Sequence, residues 1–193
     1  MPSSNSRHFF DVGANTGQTF DAFLAKDRQY DGWRVWCFEP SPRHLPELMT
    51  KAQQYGSLYD IQLCPFGLRG EAGILPLHQK SDPRGDSFEP YLGVGAEVPN
   101  LYVNYTLHVP AAKVDDFILA NTNAGDKITL KLDCEGSEYG ILQALACRHR
   151  ALERVERIFV EWHSISPENP GKLMNHLMQA YELLGHPLED WMF

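Results

Sequence analysis

Asp11, Gly13, Asn15, Thr16 and Gly17 lie together in the stretch DVGANTG. Two glycines around an amide side chain let the backbone approach a ligand closely, and the unpaired N–H groups of a following helix offer it a polar cradle. Glu39 and Pro40 follow the run WCF about twenty residues past Gly17. An acid at that distance is where a ribose diol is met in doubly wound folds. Asp133 follows ITLKL, and Glu161 and His163 close the run RIFVEWH. An imidazole that titrates near neutral pH can take a proton, a carboxylate can orient an acceptor, and two carboxylates can share a hard divalent cation such as magnesium.

Each of these groups sits just after a short apolar run, so the runs must be strands that deliver them to one edge. RHFFDV, WRVWCF, LYDIQL, ITLKLD and RIFVEW are β-rich, and between them apolar residues recur at helical spacing. Phe20, Phe23 and Leu24 mark one helix. Leu45, Leu48, Met49 and Ala52 mark a second, with Ser41 expected as its cap and Pro42 in its first turn. Ile141, Leu142 and Leu145 mark a third. Leu173, Leu177, Tyr181 and Leu184 mark a fourth that stops at Gly185, with Pro187 beyond. Strands alternating with helices imply an α/β fold, a doubly wound and mostly parallel sheet with helices on both faces. Ligands bind such sheets at the carboxyl ends of the strands. The 193 residues read as one domain, 1–193. Neither period holds over 79–110, and an irregular stretch of that length reads as a flap carrying Lys80, Arg84, Phe88, Tyr91, Tyr102 and Tyr105.

The acid at the end of the first strand narrows the ligand. A pyrophosphate would be repelled by Asp11, whereas a ligand bearing an ammonium and a sulfonium would be attracted. Two carboxylates, one for an amino-acid moiety and one for a ribose, describe S-adenosylmethionine. Dinucleotide binding is the alternative, although the spacing of Gly13 and Gly17 does not reproduce G-x-G-x-x-G. The glycines could also make only a tight turn.

DVGANTG, FEPSPRHLPEL, VDDFI, LKLDCEGSEYGILQAL and VEWH follow one another in the order seen in the FkbM-type family of S-adenosylmethionine-dependent methyltransferases, which the chain resembles over most of its length. The resemblance implies a Rossmann-like class I methyltransferase fold and methylation of hydroxyl oxygens on sugars or other natural products. It places Asp11, Gly13, Asn15 and Gly17 in the cofactor loop, Glu39 at the ribose, and Asp133, Glu135, Gly136 and Glu138 in the D-x-E-G-x-E segment. Thr16 and Pro40 are taken with their neighbours as cofactor-binding. Cys64-Pro65-Phe66 replaces the small residues common after the third strand, and Cys64 and Phe66 are assigned there to the adenine. Relative to the family, the chain starts almost at the first strand, and it stops at EDWMF where such sheets continue into an antiparallel pair. The expectation is a fold shortened at both ends, its cofactor covered by the flap or by a second copy in a homodimer.

Methyl transfer from a sulfonium is an in-line displacement governed by positioning, but an alcohol must also lose its proton to a base or to a metal-lowered pKa. His163 is the expected base, with a hydrogen bond to the following loop as its other reading. Asp133 is expected to orient the acceptor or the sulfonium end of the cofactor, or else to share a metal with Glu161. Glu135 and Glu138 could instead serve the helix that starts near Ser137. A net charge of −8 and a pI near 5.4 argue against nucleic acid. No run approaches the ~18 apolar residues of a membrane span, and the opening MPSSNSR lacks a secretory signal's apolar segment. Cys37, Cys64, Cys134 and Cys147 are too scattered for a zinc site. The expected setting is therefore cytoplasmic, with a small hydroxylated acceptor as partner. A cofactor-binding module without turnover and a nicotinamide oxidoreductase are the competing functions.

Overall fold

Phe9 and Phe10 are neighbours in the chain, so a strand sends them to opposite faces. Both are completely buried, and so the strand that carries them must be covered on both sides. In the computed structural model, which describes residues 5–26, 28–89, 103–163 and 170–191, that strand is β1 (Arg7–Val12). The chain continues through α1 (Gln18–Ala22), β2 (Arg34–Phe38), α2 (Leu45–Tyr55), β3 (Asp60–Cys64), β4 (Gly67–Arg69), β5 (Gly73–Lys80) and β6 (Val103–Lys113). It then forms α3 (Val114–Asn121), β7 (Lys127–Leu132), α4 (Glu138–Ala146), α5 (His149–Leu152), β8 (Val155–Val160), α6 (Pro170–Leu183) and β9 (Leu188–Asp190).

Six strands form one parallel sheet in the order β3-β2-β1-β7-β8-β9. The protein thus has an α/β, Rossmann-like fold. The chain builds outward from β1 to β3, then returns to β7 on the other side of β1. That reversal opens a crevice at the carboxyl ends of β1 and β7. Phe9 packs with Phe20, Leu24, Val35 and Leu48 on one face. Phe10 packs with Phe38, Ile118, Leu130 and Leu142 on the other. Each such side chain contributes about 1.5–3 kcal/mol by leaving water.

The second sheet, β4-β6-β5, was not expected. The end of β5 and most of β6 fall within 79–110, read as irregular, whereas β4 and most of β5 precede it. Strands β5 and β6 carry Pro76 and Pro110, which obscure their strand pattern. Pro76 is tolerated because β5 is an edge strand. The expected flap therefore begins within β5 and ends within β6. Phe88 is buried between them with Leu77, Val109 and Ala111, Lys80 is buried and Tyr105 exposed; Tyr91 and Tyr102 lie outside the described residues.

Two helix expectations need correction. Helix α1 has only five residues, and Leu24 belongs to a separate 3-10 turn, Leu24–Lys26. Helix α2 starts at Leu45 with Pro46 in its first turn, and Ser41 does not cap it; the Ser41 hydroxyl donates instead to Asp86 at 2.7 Å. At the far end, β9 extends the sheet parallel to β8, where an antiparallel continuation is the family's expected form. Among the described residues no helix is long and apolar enough to cross a membrane, and all four cysteines are free.

Candidate active site

The DVGANTG turn rests directly on the end of β7. Gly13 has φ +79°, and a β-carbon there would stand 1.8 Å from the Asp133 carbonyl oxygen. Only glycine satisfies both conditions. The N–H groups of Gly13 and Ala14 both donate to the Phe38 carbonyl at 3.1 Å, which ties the turn to β2. Asn15, with φ +48°, accepts the Thr16 N–H on Oδ1 at 2.8 Å.

Glu39 joins the two strand ends. Its Oε2 accepts the Asn15 N–H at 2.8 Å and its Oε1 accepts the Ser41 N–H at 2.7 Å. Burial pushes its pKa up, while those two N–H groups and His44 act in the other direction. Each carboxylate oxygen keeps a further lone pair for a ligand hydroxyl.

Asp11 is fully buried and faces inward, against the sequence expectation that it meets a ligand's ammonium. Its partner is Lys131, whose Nζ lies 2.9 Å from Asp11, 3.1 Å from Asp133 and 3.0 Å from the Gly13 carbonyl. Burial works against a charged lysine, but the two flanking carboxylates more than offset it and hold Lys131 as an ammonium. Lys131 was missed as a site residue. Its signal was a lysine inside the apolar run ITLKL, which a buried strand accommodates only beside a countercharge.

Beyond Asp133 lies a cluster of acids around one imidazole. Glu138 is completely buried and accepts the N–H groups of Cys134 at 2.8 Å and Gly136 at 2.9 Å. Its Oε1 also lies 2.9 Å from Nδ1 of His163. The other ring nitrogen of His163 is 3.5 Å from Glu135 and 3.9 Å from Glu161. Burial opposes charge on His163, yet the hydrogen bond and charge of Glu138, with Glu135 and Asp133, lift its pKa to about 9. It therefore carries a proton at neutral pH, which removes the reason for choosing it as the base. Burial, helped by Asp133 and Glu138, raises Glu135 to about 7. Burial and Asp133 also raise Glu161.

These groups open onto a cavity of about 360 Å³ at the carboxyl ends of β1, β2, β7 and β8, a size suited to a small ligand. Gly13, Asn15, Glu39, Pro40, Asp133 and Glu161 line it, as expected of site residues. Lys131, Glu135, Ser137 and Trp191 line it too, and Leu77, Ser87 and Phe88 wall it from the side of the second sheet. Asp11, Thr16, Gly17, Cys64, Phe66 and His163 are not in the lining. Cys64 is buried, and Phe66 packs on Phe38 at 5.9 Å between ring centres. After β3 the wall is formed instead by Gly67 and Leu68. The acids of the lining are thus Glu39, Asp86, Asp133, Glu135 and Glu161, without Asp11, and they outnumber the cations Lys131 and Arg84.

A family model described as the methyltransferase FkbM domain matches residues 11–186. The chain belongs to the FkbM methyltransferase family. No curated protein and no solved structure matches the chain. The FkbM match begins at Asp11, includes every group around the cavity up to His163, and runs through α6. It therefore takes in β2, β3, β7 and β8 of the sheet, the glycine turn and the acid cluster together.

Proposed function

We propose that the protein transfers a methyl group from S-adenosylmethionine to a hydroxyl oxygen of a small acceptor, such as a sugar or another natural product. The observation that carries this reading is the carboxylate-lined cavity of an FkbM-family chain, placed where its parallel sheet reverses direction. When bound, the cofactor supplies an electrophilic methyl group on a sulfonium.

The residues present fit such a guest. Gly13, which lines the cavity, lets the turn pack directly against the Asp133 carbonyl at the β7 end. Glu39 has lone pairs for a ribose diol at the β2 end. The Ser137 hydroxyl is buried without a hydrogen-bond partner on the cavity wall, and a buried hydroxyl without a partner is costly unless a ligand meets it. The acids of the lining, Glu39, Asp86, Asp133, Glu135 and Glu161, outnumber Lys131 and Arg84, an excess that favours a cation. The same charges would repel the diphosphate of a nicotinamide dinucleotide, which weighs against the oxidoreductase reading.

The test is transfer of isotopically labelled methyl from S-adenosylmethionine to a panel of hydroxylated acceptors. The reading expects label in an alkali-stable ether. Label confined to amine or carboxyl acceptors would overturn the hydroxyl assignment.

A further inference from the structure

We propose that Asp133 and Glu161, which line the cavity, form a divalent-metal site together with His163, which stands outside the lining. One ligand atom from each lies within 4.8 Å of those of the other two. Their placement is rigid, because Asp133 and Glu161 follow directly on the paired ends of β7 and β8, where the Glu161 N–H donates to the Leu132 carbonyl at 2.8 Å.

Three features separate this group from a chance meeting of acids. First, one ligand is an imidazole whose orientation is fixed: Nδ1 of His163 meets Glu138, which two backbone N–H groups pin in place. Metal-binding histidines are held by such a carboxylate behind the ring. Nε2 faces the other acids, and an ion would bind there by displacing the proton that His163 carries at neutral pH. Second, Asp133 and Glu161 both line the cavity, and so does Ser137, whose hydroxyl is buried without a partner. A polar group left without a partner at that wall awaits a ligand or a ligand-bound water. Third, the neighbouring ammonium, Lys131, is divided between Asp11, the Gly13 carbonyl and Oδ2 of Asp133. Its contact with Asp133 is through Oδ2, while Oε1 of Glu161 faces Nε2 of His163 at 3.9 Å.

Two carboxylates and one imidazole favour a first-row dication such as Mn²⁺ over calcium, which prefers oxygen alone. Three protein ligands leave coordination positions open. The site stands on these contacts alone, but its use in catalysis rests on the methyl-transfer reading. A dication there would lower the pKa of an acceptor hydroxyl. The O–H would then release its proton to solvent as the C–O bond forms, and the electron pair of the breaking C–S bond would go to sulfur.

The experiment is a titration of the purified protein with Mn²⁺ alone, followed by electron paramagnetic resonance and calorimetry. The site predicts one ion per chain. Glu161→Gln, whose side chain is 46% exposed and so spares the fold, should weaken binding at least tenfold with unchanged circular dichroism. Glu138→Gln, which would not touch the ion, should weaken it roughly tenfold to a hundredfold. Absence of saturable binding below millimolar Mn²⁺, or equal affinity in the wild type and Glu161→Gln, would overturn the site. S-adenosylhomocysteine is titrated separately. Mn²⁺ binding without S-adenosylhomocysteine binding would uphold the metal site and defeat the cofactor reading, whereas the reverse would defeat the metal site alone.

Discussion

Lys131→Met removes the ammonium that Asp11 and Asp133 share. Asp11 has no exposure and Lys131 only 2%, so the substitution strands a carboxylate in the core. Breaking a buried pair from one side costs about 3–5 kcal/mol. For a chain of this length each kcal/mol shifts the melting temperature by roughly 2–4 °C, so the expected drop is on the order of 10 °C. Asp11→Asn alone should cost less, because it leaves Lys131 beside Asp133 at 3.1 Å. The double variant Asp11→Asn, Lys131→Met carries no stranded charge at Asp11 and should recover much of the loss. A cycle of urea unfolding curves on the four proteins should therefore give a coupling of at least about 1 kcal/mol, within the range known for contacting residues. Strictly additive losses would refute the pairing. The same four proteins separate a structural Asp11 from a ligand-binding one. If Asp11 held the cofactor directly, Asp11→Asn would abolish S-adenosylhomocysteine binding even in the stable double variant.

Gly13→Ala and Gly32→Ala form a matched pair, since both residues have φ close to +80° but only Gly13 has atoms within 4 Å of a new β-carbon. Gly32→Ala should cost about 1–2 kcal/mol for the left-handed backbone; Gly13→Ala should cost distinctly more and also impair cofactor binding, and equal denaturation midpoints would contradict the close approach to β7. His8 supplies a pH test: Nδ1 accepts the Trp36 indole N–H at 3.1 Å, and burial lowers its pKa below 6.5 despite Asp126. A histidine kept neutral by folding contributes stability above the unfolded value of 6.5 and loses it as pH falls through the lower folded value. Denaturation midpoints should fall below pH 6.5 in the wild type and fall less in His8→Gln; identical profiles would exclude the effect.

The parallel sheet was legible because its strands are buried on both faces and so read as nearly unbroken apolar runs; RHFFDV is β1 residue for residue. Helix α6 was legible from its period and from Gly185, which has φ +77° just past its end. The small sheet was not, since Pro76 and Pro110 hide two strands whose stability comes from their pairing across eight positions of register. Helix α3 begins with VDDFI and runs on to Asn121 but shows no capping side chain, and β9 is too short to carry a period. In the site, the residue types were readable and their partners were not. Asp11 and Asp133 stand at adjacent strand ends, but only the tertiary pairing of β1 with β7 brings Lys131 between them. His163 illustrates the same limit. Its chemistry depends on Glu138, twenty-five residues away in the chain and 2.9 Å away in space.

The claim on which the functional account depends is that the acid-lined cavity receives S-adenosylmethionine. Calorimetric titration with S-adenosylhomocysteine and, in parallel, with NAD tests it most directly. The account predicts saturable 1:1 binding of S-adenosylhomocysteine, weakened when Glu39 is replaced by Gln, and no comparable heat with NAD. Saturable binding of NAD, with none of S-adenosylhomocysteine at millimolar concentration, would contradict it.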